Sequence, residues 1–217
     1  MASRSEPLDS LDFFPTPPWS TRALCEVVLG GTGALQNLSC WEPAAGEGHM
    51  SDVLAEYFRD VFASDIWDYG RGHGIGAFAA ENSGLVDDLA RCPFRPDWII
   101  SNPPFNLAKD FVIRGLEEAS TGVAMLLRTS WLEGRDRYET IFRDRPPTTV
   151  AVFAERVPMV KGRWDPKAST ATSYVWFIWE REHFGTPSRI VWIPPGQREA
   201  LTRSDDVARF AVRGIPE

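Results

Sequence analysis

Residues 102–105, Asn-Pro-Pro-Phe, place a side-chain amide, two prolines and an aromatic ring directly after the apolar run 98–100. That run contains β-branched residues and predicts a strand buried on both faces. Pro103 and Pro104 end the strand because neither can donate a backbone N–H, and Pro103 restricts Asn102 to an extended conformation. Asn-Pro-Pro is also an ordinary turn signal. At the carboxyl end of a strand, where open α/β sheets bind ligands, the turn would hold its amide in a narrow range of directions.

The Asn-Pro-Pro-Phe sequence resembles the catalytic tetrapeptide of the S-adenosylmethionine-dependent amino-methyltransferases, which methylate exocyclic or amide nitrogens. The resemblance implies S-adenosyl-L-methionine as cofactor and catalytic roles for Asn102, Pro103, Pro104 and Phe105. An adenine amino group is a poor nucleophile because its lone pair is delocalised into the ring. The Asn102 side-chain oxygen and the Pro103 carbonyl could accept its two hydrogens, which favours a pyramidal nitrogen pointing at the sulfonium methyl. Phe105 would stack on the base, a contact worth about 1–3 kcal/mol.

An aromatic- and proline-rich loop lies upstream, at residues 12–19. Its Phe14-Pro15-Thr16-Pro17 segment resembles the family's aromatic-Pro-Thr-Pro motif, which lines the methionine end of the cofactor. The resemblance implies cofactor contacts from Phe14, Pro15 and Thr16. Because this motif precedes the first predicted strand, the motif order is similar to the arrangement called γ. The alternative interpretation is a hydrophobic plug that closes the sheet edge.

Small residues separate the first predicted strand, 38–42, from a predicted helix at about 49–58. Such a loop lets a ligand approach the backbone and the helix N-terminus. A lone Gly-x-Gly is a weak signal, but residues 42–48, Glu-Pro-Ala-Ala-Gly-Glu-Gly, resemble the Glu/Asp-Pro-x-x-Gly-x-Gly cofactor loop of methyltransferases. Glu42 suits the positively charged amino group of the cofactor. The other cofactor-binding residues that this loop implies are Ala44, Gly46 and Gly48.

Carboxylates follow the next two segments. Asp65 ends a predicted strand at 61–65, where an acid accepts hydrogen bonds from ribose hydroxyls in Rossmann-like sheets; capping a loop is the alternative. Ile66 could pack on the adenine ring. Asp87 resembles the family's Asp-x-Leu segment, whose acid contacts the adenine amino group, with Asp88 as a near alternative. The intervening residues 67–84 contain five glycines and predict a mobile loop, with a possible helical turn at 77–81.

The remaining patterns predict a βα alternation. The helices predicted from apolar periodicity are 20–29, 107–119, 135–142 and 197–211, and the strands are 122–127, 148–153, 174–180 and possibly 188–193. Together with the family resemblance of the four motifs, this alternation implies an α/β, Rossmann-like methyltransferase fold. It would have a seven-stranded mixed sheet with the last strand, 174–180, antiparallel and helices on both faces. Residues 1–217 form a single methyltransferase domain, in which 1–11 are a flexible lead.

Charge is uneven along the chain, although the net charge of −7 does not indicate a nucleic-acid binder. Residues 128–167 carry nine basic and six acidic side chains, so phosphates would bind here if the substrate is nucleic acid. A solvated helix face is the alternative. We interpret 128–171 as a possible substrate-contacting region, because methyltransferases must extrude a base from a duplex to reach it. Its candidate substrate-binding residues are Arg128, Lys161, Arg163 and Trp164; packing on the sheet is the alternative for the tryptophan.

Composition, with 43% hydrophobic and 12% aromatic residues, favours a folded globule. No apolar signal core and no run of about 18 apolar residues occurs, so we expect a soluble cytoplasmic protein without a membrane partner. The three cysteines and three histidines are widely spaced and predict no disulfide framework and no metal site. Oligomeric state is not predictable from these patterns.

The leading interpretation is N6-methylation of a flipped adenine in DNA. Cytosine-C5 chemistry needs an activated cysteine, and Cys92 lies in no such motif. Cytosine-N4 enzymes usually carry Ser-Pro-Pro, whereas Ser101 is followed by Asn102. The alternatives are a methyltransferase of the same fold acting on an RNA base or a protein glutamine, and an inactive methyltransferase-like binding module. The compact size suggests short or relaxed specificity, as in orphan modification enzymes of phage-like elements.

Overall fold

A single mixed sheet of eight strands forms the centre of the computed structural model, which describes residues 13–79 and 89–210. The strands are β1 Ser39–Glu42, β2 Asp60–Asp65, β3 Gly74–Ile75, β4 Trp98–Ser101, β5 Gly122–Arg128, β6 Thr149–Phe153, β7 Tyr174–Glu180 and β8 Arg189–Ile193. Their order in the sheet is β3-β2-β1-β4-β5-β7-β6-β8.

β7 runs opposite to the other strands of the sheet. β3, β2, β1, β4 and β5 are mutually parallel, β7 is antiparallel to both β5 and β6, and β8 is parallel to β6. The expected mixed sheet with an antiparallel strand at 174–180 is confirmed. The segment at 188–193 adds an eighth strand. The chain builds outward from β1 to β3 and then returns to β4 on the other side of β1, so the carboxyl ends of β1 and β4 border a topological switch point, where ligands bind in such sheets.

Helices cover both faces of the sheet, as expected. Their bounds are α1 Pro18–Ala23, α2 Gly31–Leu35, α3 Ser51–Leu54, α4 Ala108–Glu118, α5 Arg135–Arg137, α6 Gln197–Leu201 and α7 Asp206–Phe210. α1 continues as the π-helical turn Leu24–Val28, α5 continues as Tyr138–Phe142, and short 3₁₀ turns occur at Thr129–Leu132 and Arg181–His183. None of the helices in 13–79 and 89–210 is long and apolar enough to cross a membrane.

Alternation along β7 shows how the sheet is buried on both sides. Trp176 and Ile178 belong to the core cluster beneath α1 and α3, whereas Phe177 and Trp179 belong to the opposite cluster beneath α4. All four side chains are fully buried. A strand covered on both faces must be apolar at successive positions, which explains the near-continuous hydrophobic run in the sequence.

Several predicted boundaries are wrong. The helix expected at 49–58 contains only Ser51–Leu54, followed by turns. The helix expected at 20–29 begins earlier, because Pro18 at the first helical position is favourable there. The loop expected at 67–84 contains β3, and Ala77 forms a parallel bridge with Leu89. The helical turn expected at 77–81 lies partly outside the described residues. Two-residue strands carry no periodic pattern, so the sequence gives no signal for β3.

The predicted terminal helix at 197–211 is also wrong, because it breaks after Leu201. The Leu201 carbonyl accepts a hydrogen bond from the Arg22 guanidinium (2.7 Å), and the Asp206 carboxylate accepts one from the Arg203 N–H (2.8 Å). These side chains satisfy the backbone groups that a continuous helix would pair, so the chain can turn.

A buried ionic cluster fixes this C-terminal segment to the rest of the domain. The Arg22 and Asp206 side chains are 1% and 0% exposed and are joined by two hydrogen bonds of 2.7 Å. Arg22 also donates to Glu56 at 2.8 Å. Burial alone would raise the pKa of Asp206, but its hydrogen bonds from Arg22 lower it, and those from Arg22 and Arg209 similarly lower the pKa of Glu56.

Candidate active site

A cleft opens at the switch point, at the carboxyl ends of β1, β2 and β4. Its cavity volume is about 80 Å³, which is smaller than typical small-molecule sites, so a ligand of that class requires part of the lining to move. One wall comes from the N-terminal segment 13–16 and the other from the loops after β1 and β2. The lining residues are Phe13, Phe14, Pro15, Thr16, Glu42, Ala44, Ala45, Gly46, His49, Met50, Asp65, Ile66, Tyr69, Asn102 and Pro104.

The Asn102 amide is held by the N-terminal segment. Its Nδ2 donates to the Phe14 carbonyl (2.9 Å) and to the Thr16 hydroxyl (3.0 Å). A backbone carbonyl can only accept a hydrogen bond, so the amide nitrogen must face Phe14. This contact makes Oδ1 the acceptor end of the amide. Two motifs separated by more than eighty residues are thus joined at one side chain.

The turn after Asn102 ends the strand, as its two prolines predict. Pro103 is buried, and the Pro104 carbonyl accepts the Leu107 N–H (3.0 Å), which leads directly into α4. The turn is therefore fixed between a central strand and the longest helix of the described chain.

The half-buried Phe105 ring contacts three side chains. Its centroid lies 5.4 Å from that of Phe14, and it stacks on Tyr174 at 6.3 Å with an interplanar angle of 28°. The Arg128 guanidinium lies 4.1 Å from the ring centroid. A base that stacks on that face of Phe105 must therefore displace Arg128 or share the ring edge with it.

Glu42 is the buried carboxylate of the cleft. Its side chain is at the end of β1 and is 2% exposed, and its Oε2 has no hydrogen-bond partner within residues 13–79 and 89–210. Burial raises the pKa of Glu42, and hydrogen bonds from Ser51 oppose that rise. A buried acceptor without a partner is costly. The buried carboxylate fits a cationic ligand group such as an ammonium, whose N–H would donate a hydrogen bond to Glu42 Oε2.

Asp65 supports the loop after β1. Its Oδ2 accepts the Gly46 N–H (2.9 Å) and its Oδ1 accepts the Trp67 N–H (3.1 Å). Burial raises the pKa of Asp65, and these backbone hydrogen bonds oppose the rise. The capping role considered from the sequence is therefore present, and each oxygen retains a second lone pair for a ribose hydroxyl. Ile66, half of it exposed, lines the cleft beside Asp65.

The glycines of this loop, residues 43–50 (hereafter the glycine loop), differ in role. Gly46 lines the cleft with a φ of +52°, and the partly buried Ala44 lies beside it. Gly48, with a φ of +88°, packs against Asp52 and His73. The second glycine is thus explained by backbone conformation. Asp87 and its neighbour Asp88 lie outside the described residues.

The basic hairpin, which we define as residues 160–163, covers the N-terminal segment. Val160 and Arg163 form an antiparallel bridge, and the Gly162 N–H donates to the Phe13 carbonyl at 2.9 Å. The Arg163 side chain is 60% exposed and lies 3.9 Å from Asp165, and Lys161 is half-buried. Trp164 is only 5% exposed and packs edge-on against Phe210, which agrees with the packing alternative.

Sequence reasoning missed five lining residues of the cleft: Phe13, Ala45, His49, Met50 and Tyr69. The His49 Nε2 lies 2.9 Å from the Phe210 carbonyl, and burial lowers the pKa of His49. No residue spacing predicts that contact, because the partners are 161 positions apart. The run Asp-Phe-Phe-Pro could have indicated Phe13, since one of two adjacent rings was already assigned to the cleft.

A second group of polar side chains lies at the opposite edge of the sheet. Ligand atoms of Glu180, Glu182 and His183 are within 4.8 Å of one another, a spacing that could hold a metal ion. Arg189 already donates to Glu180 at 3.1 Å, which supplies a competing positive charge. The widely spaced histidines gave no indication of this group.

Comparison with solved structures identifies the fold of the chain. No protein-family model matches the chain, and no curated protein sequence matches it significantly. A type I restriction-modification methyltransferase subunit from Streptococcus thermophilus has a TM-score of 0.58 at 13% identity, covering 83% of this chain and 47% of that one. A candidate class I S-adenosylmethionine-dependent methyltransferase from Listeria monocytogenes has a TM-score of 0.55 at 13% identity, covering 85% and 67%.

A candidate RNA methyltransferase from Pyrococcus horikoshii matches with a TM-score of 0.54 at 13% identity, covering 81% of this chain and 90% of that one. The chain spans about half the length of the restriction-modification subunit it matches. The likeness extends over most of the chain, and the expected fold class is confirmed. The chain therefore has the α/β fold of these methyltransferases.

Proposed function

We propose that this protein is an S-adenosylmethionine-dependent methyltransferase that transfers a methyl group to the exocyclic N6 of a flipped adenine in DNA. One observation carries the proposal: the Asn102 amide is held by Phe14 and Thr16 with its acceptor end defined. The same cleft contains a Glu42 oxygen that has no hydrogen-bond partner among the described residues. A cleft with a buried anionic acceptor and a fixed amide suits a cationic donor molecule and an amino acceptor.

Each residue has a separate task in the proposed reaction. When bound, S-adenosylmethionine supplies an electrophilic methyl group to a nucleophilic nitrogen. Glu42 binds the ammonium of the methionine portion, and Asp65 accepts from the ribose. Asn102 Oδ1 and the Pro103 carbonyl accept the two hydrogens of the substrate amine, which directs its lone pair. One of these protons leaves to solvent after transfer, so no residue needs to act as a general base.

The substrate side of the site is the less constrained half. Phe105 would stack on the base, with Arg128 beside it, and Lys161 and Arg163 would contact phosphates. DNA is favoured by the resemblance of the motif order to the γ arrangement and by the basic composition of 128–167. An RNA base or a protein glutamine presents the same NH₂ group to Asn102, so these substrates are outcomes of the test.

The test is radiolabelled methyl transfer from S-adenosylmethionine to duplex DNA, single-stranded DNA, RNA and protein. We expect label in DNA, at N6 of adenine. Label confined to RNA or protein would contradict the proposed substrate, and no label together with no calorimetric cofactor binding would leave a methyltransferase-like module.

Asn102→Ala tests the mechanism. Removing one preorganised polar group typically costs about 10²–10³ in kcat. Asn106→Ala is the matched control, because Asn106 is exposed and lies four residues along the same turn. A transfer rate that falls equally in both variants would refute the role of Asn102.

A further inference from the structure

The Phe13 ring covers the glycine loop. A Cβ added to Gly46 would lie 2.5 Å from Phe13 Cε2, so only glycine permits this approach. The ring centroid also lies 5.2 Å from that of Tyr69 and 6.3 Å from that of His49. Phe13 is therefore in van der Waals contact with the part of the loop that a cofactor must approach.

The backbone of the same residue holds the basic hairpin. The Phe13 carbonyl accepts the N–H of Gly162, which has a φ of +78° at the tip of the hairpin. Lys161 and Arg163 flank that glycine. The position of the two basic side chains thus depends on the position of the Phe13 backbone.

The base of the hairpin has a second attachment. Trp164 is buried against Phe210, and the Phe210 carbonyl is hydrogen bonded to His49 of the glycine loop. That attachment does not use the Phe13 backbone, although the His49 ring lies 6.3 Å from the Phe13 ring. It keeps the hairpin near the cleft, while the Phe13 contact sets where its tip lies.

We infer that Phe13 is a positioning residue that couples occupancy of the cofactor cleft to the placement of the basic hairpin, and hence of Lys161 and Arg163. The inference rests on the proposed function. A molecule seated against Gly46 must either pack on the Phe13 ring or displace it. Both events move or restrain the carbonyl that holds Gly162. A ligand shifts a conformational equilibrium only if it contacts the two conformations differently. The Phe13 ring at Gly46 provides the contact that differs between the empty and the occupied cleft.

Amide hydrogen exchange tests this inference without a methyl acceptor. The probe is S-adenosylhomocysteine, with binding and saturation established by calorimetry. In the unaltered protein we expect saturation to slow exchange in the glycine loop and, by at least about fivefold, in residues 157–167; couplings between sites are typically about 5- to 150-fold. In Phe13→Ala, saturation should still slow amide exchange in the glycine loop, but it should not slow exchange in residues 157–167. Phe13→Tyr keeps the ring and should restore the effect.

Two controls isolate the ring. Phe184→Ala removes a half-buried ring at the opposite edge of the sheet and should leave the coupling unchanged. Phe13→Leu carries the test if Phe13→Ala does not fold, since it keeps an apolar side chain and removes the aromatic contact. The inference is overturned if ligand slows amide exchange in residues 157–167 as much in the Phe13→Ala or Phe13→Leu variant as in the unaltered protein. It is also overturned if saturating ligand does not slow exchange in the hairpin of the unaltered protein. Absence of calorimetric binding instead refutes the proposed function, and the inference with it.

Discussion

Replacing Glu42 by Gln should weaken cofactor binding and stabilise the empty protein. The carboxylate is 2% exposed, one of its oxygens has no partner in the described chain, and burial raises its pKa. A neutral amide of the same shape removes a buried charge. It also removes a hydrogen bond between charged groups, which contributes about 1.5–3 kcal/mol. A loss of about 2 kcal/mol corresponds to a roughly 30-fold weaker Kd.

The sign of the stability change follows from the raised pKa. A carboxyl group whose folded pKa exceeds its unfolded value contributes stability that is fully present below the unfolded pKa and is lost as pH rises through the folded pKa. At neutral pH Glu42 therefore opposes folding, and the permanently neutral glutamine does not. Binding of an ammonium favours the ionised form, so the affinity of the unaltered protein should rise with pH toward the folded pKa of Glu42, by at most tenfold per pH unit.

Calorimetric titration with S-adenosylhomocysteine at several pH values, together with thermal unfolding, measures both effects. Glu47→Gln is the matched control, because Glu47 is in the same loop and its side chain is partly exposed. The reasoning is refuted if Glu42→Gln binds as tightly as the unaltered protein, or if it unfolds at a lower temperature. It is also refuted if the pH dependence of affinity survives in the variant.

Other predictions concern the ionic cluster and the hairpin. Arg22→Met leaves Asp206 buried without its partner and should lower the free energy of unfolding by about 3–5 kcal/mol, measured by urea denaturation. Because the pKa of Asp206 is lowered in the folded protein, its contribution to the free energy of unfolding is present above its unfolded pKa and is lost as pH falls through the folded pKa. Urea denaturation from pH 6 downward should show this loss in the unaltered protein and not in Arg22→Met. Lys161→Ala and Arg163→Ala should each weaken DNA binding and reduce the salt slope by about 1, measured by fluorescence anisotropy at several salt concentrations.

Controls for these predictions come from the surface. Arg59 and Asp60 form an ion pair with both side chains more than half exposed, so Arg59→Met should leave stability nearly unchanged. Equal destabilisation by Arg22→Met and Arg59→Met would contradict the role of burial. An unchanged salt slope in both hairpin variants would show that the hairpin does not contact phosphate.

Sequence patterns predicted the mixed sheet because its strands depend on local signals. Glu42 ends β1 and Asn102 directly follows β4, and the carboxyl ends of parallel strands meet at one edge of a sheet. Contacts that join distant segments were not predictable in this way. The Gly162 to Phe13 hydrogen bond and the Arg22 to Asp206 pair depend on how loops fold back, and neither residue type nor spacing encodes that.

Trp164 illustrates the limit of composition. Its neighbours Lys161, Arg163 and Asp165 are polar, which left a substrate contact and packing on the sheet as alternatives for the ring; the side chain is buried against Phe210. The α7 segment supplies the apolar contact. A local pattern cannot report a partner that lies more than forty residues away.

The tie between Arg22 and Asp206 spans 184 residues, and that between His49 and Phe210 spans 161. During synthesis the residues that line the cleft, which lie between 13 and 104, leave the ribosome long before Asp206 and Phe210 exist. Contacts of such separation form slowly, and chain elongation proceeds at about 5–20 residues per second. Arg22 and His49 would therefore be without these partners for about ten seconds or more, so the walls of the cleft are synthesised well before the contacts that fix the C-terminal segment to them.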